Sequence, residues 1–293
     1  GPWVDDIVDL AGTRAEAARV RLVKGSHIIT APLFEGETSY FFQGADGRII
    51  FAIPYLAGQF TLIGTTDVPF DDNPDAITAS ADEVQYLCDC ANEYFQRQIS
   101  PTDVLSTYSG VRPLYDDRND NASEVTRDYV LTVDAEDNRA PLVSVFGGKI
   151  TTYRRLAEAA MARLRNSLPG MGPDWTENAP LPGGDVSPAN IGTSVETLCA
   201  DYPFLTNDWA WRLWRAYGTE AWRVLGDAAQ ISDLGRDFGA TLTEREVRWL
   251  KSQEWAQSAD DILWRRSKLG LRLTPTQAQE LEHWLAANGG VAV

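Results

Sequence analysis

The residues with the clearest potential for chemistry lie together at positions 145–154, which read VFGGKITTYR. An apolar run at 141–146 predicts a buried strand before them, and helical spacing predicts a helix over 150–168. Glycines let a backbone approach a ligand closely, and a helix start offers free N–H groups, to which Lys149 adds a cation. The stretch therefore predicts a site for an anion or for a ring that becomes anionic. The alternative is a glycine turn with a surface lysine.

Two arginines provide further candidates for anion recognition. Arg112 follows a glycine in YSGVRPL, and Arg127 opens the segment TRDY. Arginine suits the clamping of an oxyanion because its guanidinium presents several donors in a fixed plane. Together with Lys149 the two could converge on one dianion. The alternatives are a surface position for Arg112 and a weak surface pair of Arg127 with Asp128.

His27, in KGSHI, is one of only two histidines in the chain. A side chain that titrates near neutral pH is the usual acceptor of a proton from an alcohol. The alternative is a hydrogen-bonded core histidine, and His283 is interpreted in that way. The acidic segment 116–121 lacks the glycine and the terminal glutamate of a calcium loop, so no metal site is predicted.

Composition excludes several classes of function. The net charge of −16 argues against nucleic acid as a partner, because phosphate backbones require a basic surface. No run approaches the roughly 18 apolar residues of a transmembrane helix, and no signal peptide is visible. Three cysteines without metal-type spacing are interpreted as reduced thiols.

The elements that must position these residues follow from periodicity. Alternating segments separated by turns predict antiparallel strands within 19–70, and Ser80 with Glu83 forms a capping box at the start of a helix over 80–98. Strands at 106–114, 129–133 and 141–146 come next. Six helices are predicted beyond a Gly- and Pro-rich stretch, at 194–201, 206–217, 219–226, 243–257, 259–268 and 275–287. We therefore expect an α/β (α+β) chain: a mixed or antiparallel sheet region in 1–170, a linker in 171–190 and an all-α domain in 191–293.

Five motifs in fixed order resemble one family. They are 24–28 (KGSHI), 63–67 (IGTTD), 108–114 (YSGVRPL), 126–129 (TRDY) and 146–154 (FGGKITTYR). They resemble the aerobic, FAD-dependent sn-glycerol-3-phosphate dehydrogenases of bacteria and mitochondria, and the resemblance covers almost the whole chain. That family has an amino-acid-oxidase-like flavoprotein fold. It oxidises glycerol 3-phosphate to dihydroxyacetone phosphate and passes electrons to quinone.

The resemblance implies roles for individual residues. His27 and Arg112 would be catalytic, beside the reacting hydroxyl, and Arg127, Lys149 and Thr65 would bind the substrate. The cofactor would be FAD, and the residues implied to contact it are Thr66, Gly147, Gly148, Lys149, Ile150, Thr151 and Thr152. The implied location is cytoplasmic and peripheral on the bacterial inner membrane. The implied partners are glycerol 3-phosphate, quinone, a membrane surface, the N-terminal segment of the same enzyme and a second copy in a homodimer.

One feature of the family is absent from this sequence. No G-x-G-x-x-G dinucleotide fingerprint occurs anywhere in the chain, which also begins with Gly-Pro and not Met. We therefore expect the C-terminal part of such an enzyme, without tight FAD binding or turnover when alone. Two alternatives stay open: an amine or amino-acid oxidase of the same superfamily, for which one arginine would suffice, and a non-catalytic binding module.

Overall fold

The computed structural model describes residues 1–12, 20–116, 128–135 and 140–289. The chain divides into two units, Gly1–Glu177 and Asn178–Val293. This division falls inside the Gly- and Pro-rich stretch. Part of that stretch is fixed to the second unit, because Thr219 donates its backbone N–H to the Gly183 carbonyl at 3.1 Å. The predicted domain limits at 170 and 191 stay a prediction.

The first unit is built on an antiparallel sheet. Its strands are β1 (Val20–Thr30), β2 (Tyr40–Gln43), β3 (Ile49–Tyr55), β4 (Phe60–Gly64), β5 (Val68–Pro69) and β6 (Val104–Tyr115). They are ordered β2-β3-β4-β1-β5, and β6 also pairs with β1. The central position of β1 gives it partners on both sides over most of its length, with β4 and β5 on one side and β6 on the other.

Alternation along β1 separates a core face from a second face. Ile28 is fully buried with Ile50 and Ile63 from neighbouring strands, and these residues pack against Leu87 of helix α2 (Ala81–Asn92). Neighbouring residues on a strand point to opposite sides of a sheet. His27 therefore lies on the face that α2 does not cover.

Helix α2 begins at the predicted capping box. The Ser80 hydroxyl accepts the Glu83 N–H at 3.2 Å, and the Glu83 carboxylate accepts the Ser80 N–H at 2.9 Å. Such reciprocal bonds satisfy two N–H groups that a helix start leaves free. The cap fixes where the helix starts, and hence where Glu83 points beneath the sheet.

A hairpin and two helices complete the first unit. The hairpin is β7 (Tyr129–Asp134) with β8 (Leu142–Gly147), and the helices are α1 (Val4–Ala11) and α3 (Tyr153–Leu164). Buried Val8 of α1 packs against Phe146 of β8. Helix α1 does not appear among the sequence predictions, whereas β8 and α3 do.

The second unit is helical, with a single small hairpin among its described residues. Its helices are α4 (Ile191–Asp201), α5 (Asn207–Tyr217), α6 (Ala221–Leu225), α7 (Glu244–Gln253), a π-helical turn (Asp261–Arg266) and α8 (Pro275–Ala287), and its strands are β9 (Asp237–Gly239) and β10 (Leu242–Thr243). Its buried cluster includes Trp209 and Trp214, so these two tryptophans belong to the helical core, whereas Trp255 is 82% exposed. The prediction of a sheet region followed by a helical C-terminal part is also confirmed.

Candidate active site

The candidate site is a row of residues across the exposed face of the sheet. His27 on β1 pairs directly with Gly64 on β4 and with Tyr108 on β6. The rings of His27 and Tyr108 are stacked, with centroids 4.7 Å apart and planes 4° from parallel. A Cβ at Gly64 would lie only 2.7 Å from Cγ of His27. The imidazole therefore lies between a glycine backbone and an aromatic ring.

His27 is set up to be neutral near pH 7. Burial and, secondarily, the nearby charge of Arg112 lower the pKa of His27 below its usual value. Both effects disfavour the imidazolium form. Its Nδ1 atom is buried and has no hydrogen-bond partner among the described residues. A neutral imidazole can accept a proton, which the charged form cannot.

Arg112 is held by the loop that follows β4. Its guanidinium donates to the Thr65 hydroxyl at 3.0 Å and to the Thr66 carbonyl at 3.5 Å, and it forms an ion pair with Asp67. Gly25 leaves room for the side chain, because a Cβ there would lie 2.5 Å from Nη2 of Arg112. The guanidinium is thus fixed near His27 on the same face of the sheet.

Thr66 belongs to this loop, and its side chain is buried in a polar network around Glu83. The Glu83 carboxylate accepts hydrogen bonds from the hydroxyls of Thr66 at 2.7 Å and Ser26 at 2.8 Å, and it forms a 2.7 Å ion pair with Lys24. Burial alone would raise the pKa of Glu83, but hydrogen bonds from Lys24, the Ser80 backbone, Thr66 and Ser26 outweigh it and lower the value to about 2. The network ties β1, the loop and α2 together beneath Arg112.

The glycine turn lies at the end of β8. Gly147 and Gly148 have φ angles of +68° and +95°, which favour glycine. A Cβ at Gly147 would lie 3.0 Å from the Asp128 carbonyl. Lys149, Ile150 and Thr151 are exposed, with Ile150 89% accessible.

A single 3₁₀-helical turn (Ile150–Thr152) follows the glycines, and Thr152 forms its hydrogen bonds. The Thr152 N–H and hydroxyl both donate to the Lys149 carbonyl, at 3.0 and 2.9 Å. Backbone N–H groups ahead of α3 are consequently presented at an open surface, as a ligand site at a helix start requires.

The predicted site residues fall into two groups. His27, Thr65 and Arg112 come together on one face of the sheet, with Thr66 buried beneath, while 147–152 lie at the end of β8. No hydrogen bond or ion pair between the described residues joins the two groups. Arg127 lies outside the described residues. The roles of these residues toward substrate and flavin stay predictions.

Sequence reasoning missed the residues that support the site. Gly64, Asp67 and Tyr108 all lie within the quoted motifs, yet no role was assigned to them, and Glu83 was interpreted only as a cap. Motifs do not state which strands are neighbours. The pairing of Tyr108 and Gly64 with His27 depends on strand register, which cannot be derived from any one segment.

Two family models account for most of the chain. Residues 1–154 match the model described as FAD dependent oxidoreductase, and the chain belongs to this family. Residues 175–286 match the model of the C-terminal domain of alpha-glycerophosphate oxidase. The family and the fold together define a flavoprotein oxidoreductase class.

Similar proteins narrow the class. The chain is 45% identical to a glycerol-3-phosphate dehydrogenase of Pseudomonas aeruginosa, over 97% of this chain and 55% of that protein. It is 44% identical to a D-erythritol 1-phosphate dehydrogenase of Brucella abortus, over 97% and 56%. It is 42% identical to an aerobic glycerol-3-phosphate dehydrogenase of Escherichia coli, also over 97% and 56%. The chain thus spans about half the length of the curated relatives it matches.

A solved structure shares the fold. The glycerol-3-phosphate dehydrogenase from Bacillus halodurans, complexed with FAD, aligns with a TM-score of 0.74 at 22% identity, over 98% of this chain and 60% of that chain. Among the described residues, no helix combines the length and apolarity needed to cross a membrane.

Proposed function

We propose that this chain belongs to an FAD-dependent enzyme that oxidises sn-glycerol 3-phosphate to dihydroxyacetone phosphate. The observation that carries the proposal is a histidine with a lowered pKa beside a fixed guanidinium on the uncovered face of the sheet. Support also comes from the family and from the names of relatives at 42–45% identity.

His27 and Arg112 divide the work of alcohol oxidation. The O–H and C–H bonds at C2 break and a C=O bond forms, so one proton and one hydride must leave. Neutral His27 takes the hydroxyl proton, and Arg112 stabilises negative charge that develops on the oxygen. The chemistry that FAD supplies when bound is acceptance of the hydride, with its two electrons.

The glycine turn fits the ring end of a flavin. Residues 147–152 combine two positive-φ glycines, exposed backbone and a helix start, which suits a ring that gains negative charge on reduction. Residues 147–152 would hold the flavin, and Thr66 would support it through the loop that its hydroxyl anchors. Lys149 and Arg127 would bind the substrate phosphate, with Thr65 at the pocket beside Arg112.

A second polyol phosphate is a candidate substrate. Identity to the Brucella abortus D-erythritol 1-phosphate dehydrogenase is 44%, close to the 45% of the Pseudomonas aeruginosa relative. The two substrates share a phosphate ester and a secondary alcohol and differ by one hydroxymethylene group. The proposed roles of His27, Arg112 and Lys149 are the same for both.

The test measures substrate-dependent dye reduction by the flavin-loaded enzyme, prepared at the full length of the curated relatives, of which this chain spans about half. We expect turnover with glycerol 3-phosphate and a loss of about 10²–10⁴-fold in His27→Asn, with the control His283→Asn unchanged. The two polyol phosphates are compared for kcat/KM, and amino acids serve as the substrates of the alternative oxidase. Wild-type turnover by His27→Asn, or preferential oxidation of an amino acid, would contradict the proposal.

Flavin binding by residues 1–293 alone requires a separate measurement. Much of the affinity for a dinucleotide comes from a glycine-rich cradle for its pyrophosphate, and the sequence contains no G-x-G-x-x-G. We therefore expect no sub-micromolar FAD binding by calorimetry. Tight binding with measurable turnover would contradict this expectation and leave the substrate proposal intact.

Contact with a membrane surface and with quinone belongs to the same proposal. No side chain of α3 is buried, and the exposed apolar residues in and after it include Met161 at 41%, Leu168 at 42% and Trp175 at 75% accessibility. Arg155 and Arg163 supply positive charge in the same segment. Apolar and basic groups together suit the interface of an anionic bilayer. Co-sedimentation with phosphatidylglycerol vesicles, lost on charge reversal of both arginines, tests the contact.

Quinone reduction and a homodimer are each tested directly. Electron transfer to a soluble quinone is followed with the flavin-loaded enzyme and glycerol 3-phosphate. Sedimentation velocity over a range of concentrations determines whether two copies associate. Failure to reduce any quinone while dye reduction proceeds would contradict the acceptor and not the dehydrogenase proposal.

A further inference from the structure

The orientation of His27 has an unusual physical origin. A histidine that acts as a base is commonly held by a hydrogen bond at its second ring nitrogen. His27 has no such bond, because Nδ1 is buried without a partner among the described residues. Packing must therefore fix the direction in which the ring points.

Two neighbours provide that packing from opposite sides. On the β4 side, the ring occupies the space of a missing side chain, since a Cβ at Gly64 would lie 2.8 Å from Nε2 and 2.7 Å from Cγ. On the β6 side, the Tyr108 ring covers it in a nearly parallel stack at 4.7 Å. Stacked aromatic pairs at this separation are attractive, and they restrict rotation about the χ angles.

We propose that Tyr108 is a positioning residue. Its ring, together with the space left by the missing side chain of Gly64 (the seat of the imidazole), orients His27 toward the substrate hydroxyl. This inference rests on the proposed function of His27 as the base. Tyr108 does not exchange a proton in this scheme. Its aromatic ring is the functional part, so phenylalanine should replace it and an aliphatic side chain should not.

Among the residues that the structure describes, few charged or titratable groups surround His27. Arg112 faces it from β6 and is paired with Asp67 of the loop after β4, and Thr65 adds an uncharged hydroxyl. Tyr108 itself titrates, and burial raises its pKa, with a smaller contribution from Tyr55. Neither tyrosine is charged near neutral pH, so removing the Tyr108 ring changes the solvation of His27 and not its charge environment.

The first experiment needs no catalysis. The chain has only two histidines, so an NMR spectrum of ¹⁵N- and ¹³C-histidine-labelled protein contains two imidazoles, and His283→Gln assigns them. We expect ring-current displacement of the His27 ring protons upfield, reduced in Tyr108→Leu and retained in Tyr108→Phe. Displacement that is absent in the wild type, or unchanged in Tyr108→Leu, would overturn the stacked geometry.

The second experiment measures kinetics in the flavin-loaded enzyme. We expect Tyr108→Leu to lower kcat about tenfold or more with KM for glycerol 3-phosphate within about twofold, and Tyr108→Phe to recover most of kcat. The acid limb of the kcat/KM profile should move to higher pH in Tyr108→Leu, because the exposed imidazole regains a more ordinary pKa. The matched control is Tyr94→Leu, an exposed tyrosine stacked on Phe42 at 4.5 Å outside the site.

A second variant covers the case in which Tyr108→Leu does not fold. Gly64→Ala forces the imidazole from its seat and leaves Tyr108 intact, so it should reduce kcat toward the level of His27→Asn. If His27→Asn is inactive and both Tyr108→Leu and Gly64→Ala keep the wild-type kcat and pH profile, the positioning role is wrong and the proposed function stands. If His27→Asn is fully active, the proposed function fails first.

Discussion

Arg112 shows how several acceptors can fix one cation. Its guanidinium donates to Thr65 and to the backbone of Thr66, and pairs with Asp67. Replacement with alanine removes charge at the place where an oxyanion develops. We expect Arg112→Ala to lower kcat of the flavin-loaded enzyme by about 10–100-fold, or roughly 1.5–3 kcal/mol, with a smaller change in KM.

The control for this prediction is Arg97→Ala. Arg97 is exposed, and its guanidinium donates to the Pro32 carbonyl, away from His27. Arg112→Lys should stay well below wild type, because one ammonium cannot reproduce the fork of contacts. Equal kinetics for Arg112→Ala and the wild type would show that this arginine does not act on the reacting oxygen.

Lys149 is expected to act on binding and not on turnover. It is exposed beside the glycine turn, where a mobile cation can reach a phosphate dianion. We expect Lys149→Ala and Arg127→Ala each to raise KM for glycerol 3-phosphate about tenfold with a small change in kcat. Steady-state kinetics decides the matter, with Lys251→Ala in the second unit as control. Unchanged KM in both variants would mean that the phosphate assignment is wrong.

The motifs predicted residue types better than residue partners. His27, Thr65 and Arg112 were selected as separate segments, and they do lie together on one face of the sheet. Tyr108 was part of a quoted motif but received no role, because its contact with His27 depends on β1 pairing with β6 over 80 positions along the chain. Arg127 and Lys149 stay predictions, since their approach to a common ligand depends on that ligand.

At the scale of elements, Glu83 serves a helix and a sheet at once. One carboxylate oxygen caps α2, and the carboxylate also accepts Ser26, Thr66 and Lys24 beneath the site loop. Glu83→Gln leaves the Lys24 ammonium, which is only 13% exposed, without its counter-ion. We expect about 3 kcal/mol lower stability to urea at pH 7.

The pH dependence of the stability lost in Glu83→Gln follows from the direction in which folding shifts the pKa of Glu83. The folded pKa of Glu83 is about 2, below its ordinary value of 4.5, so the folded state favours the ionised form. Its stabilisation, about 3 kcal/mol, is complete above roughly pH 5 and is lost as pH falls toward 2. The difference in unfolding free energy between wild type and Glu83→Gln should shrink over that window. A difference that is constant with pH, or equally present in the exposed control Glu35→Gln, would contradict this account.

Elements with local signals were predicted closely, and those made by tertiary contacts were not. The capping box predicted the start of α2 correctly. Apolar and polar residues alternate clearly only over 19–22, yet strand β1 continues to Thr30. The alternation is lost beyond this segment, where Gly25 makes room for Arg112 and Ser26 bonds Glu83. Residues required by the site and by buried hydrogen bonds thus interrupt the alternation of apolar and polar residues that predicts a strand.

At the scale of the whole molecule, the second unit has a core of its own. Its buried cluster runs from Val195 to Leu285, and its buried Glu246 is satisfied inside the unit by Arg212 at 2.7 Å and Tyr217 at 2.8 Å. A buried charge that has its partners inside one unit does not need a partner from outside that unit. This unit therefore has the contacts that independent folding requires.

We expect residues 178–293, expressed alone, to unfold cooperatively in urea with a structured near-UV circular dichroism spectrum. We expect a strong signal because Trp209, Trp214 and Trp284 are buried in the core of this unit and four further tryptophans pack against it. Arg212→Met is the matched variant, and it should lower stability by about 3 kcal/mol through the unpaired Glu246. A gradual transition without near-UV signal would contradict the prediction.

Strand β1 also has consequences for the evolution of this protein. Its odd and even positions serve different demands, since His27 and Gly25 belong to the site while Ile28 and Ser26 belong to the interior. A substitution alters one side chain on one face. A one-residue insertion or deletion instead moves every following residue of the strand to the opposite face. A change in the length of this strand should therefore be tolerated less often than a single substitution within it. New substrate preferences can therefore arise by replacement of single side chains on the open face. The register of β1 cannot change in such single steps, because every residue beyond the change would move to the opposite face.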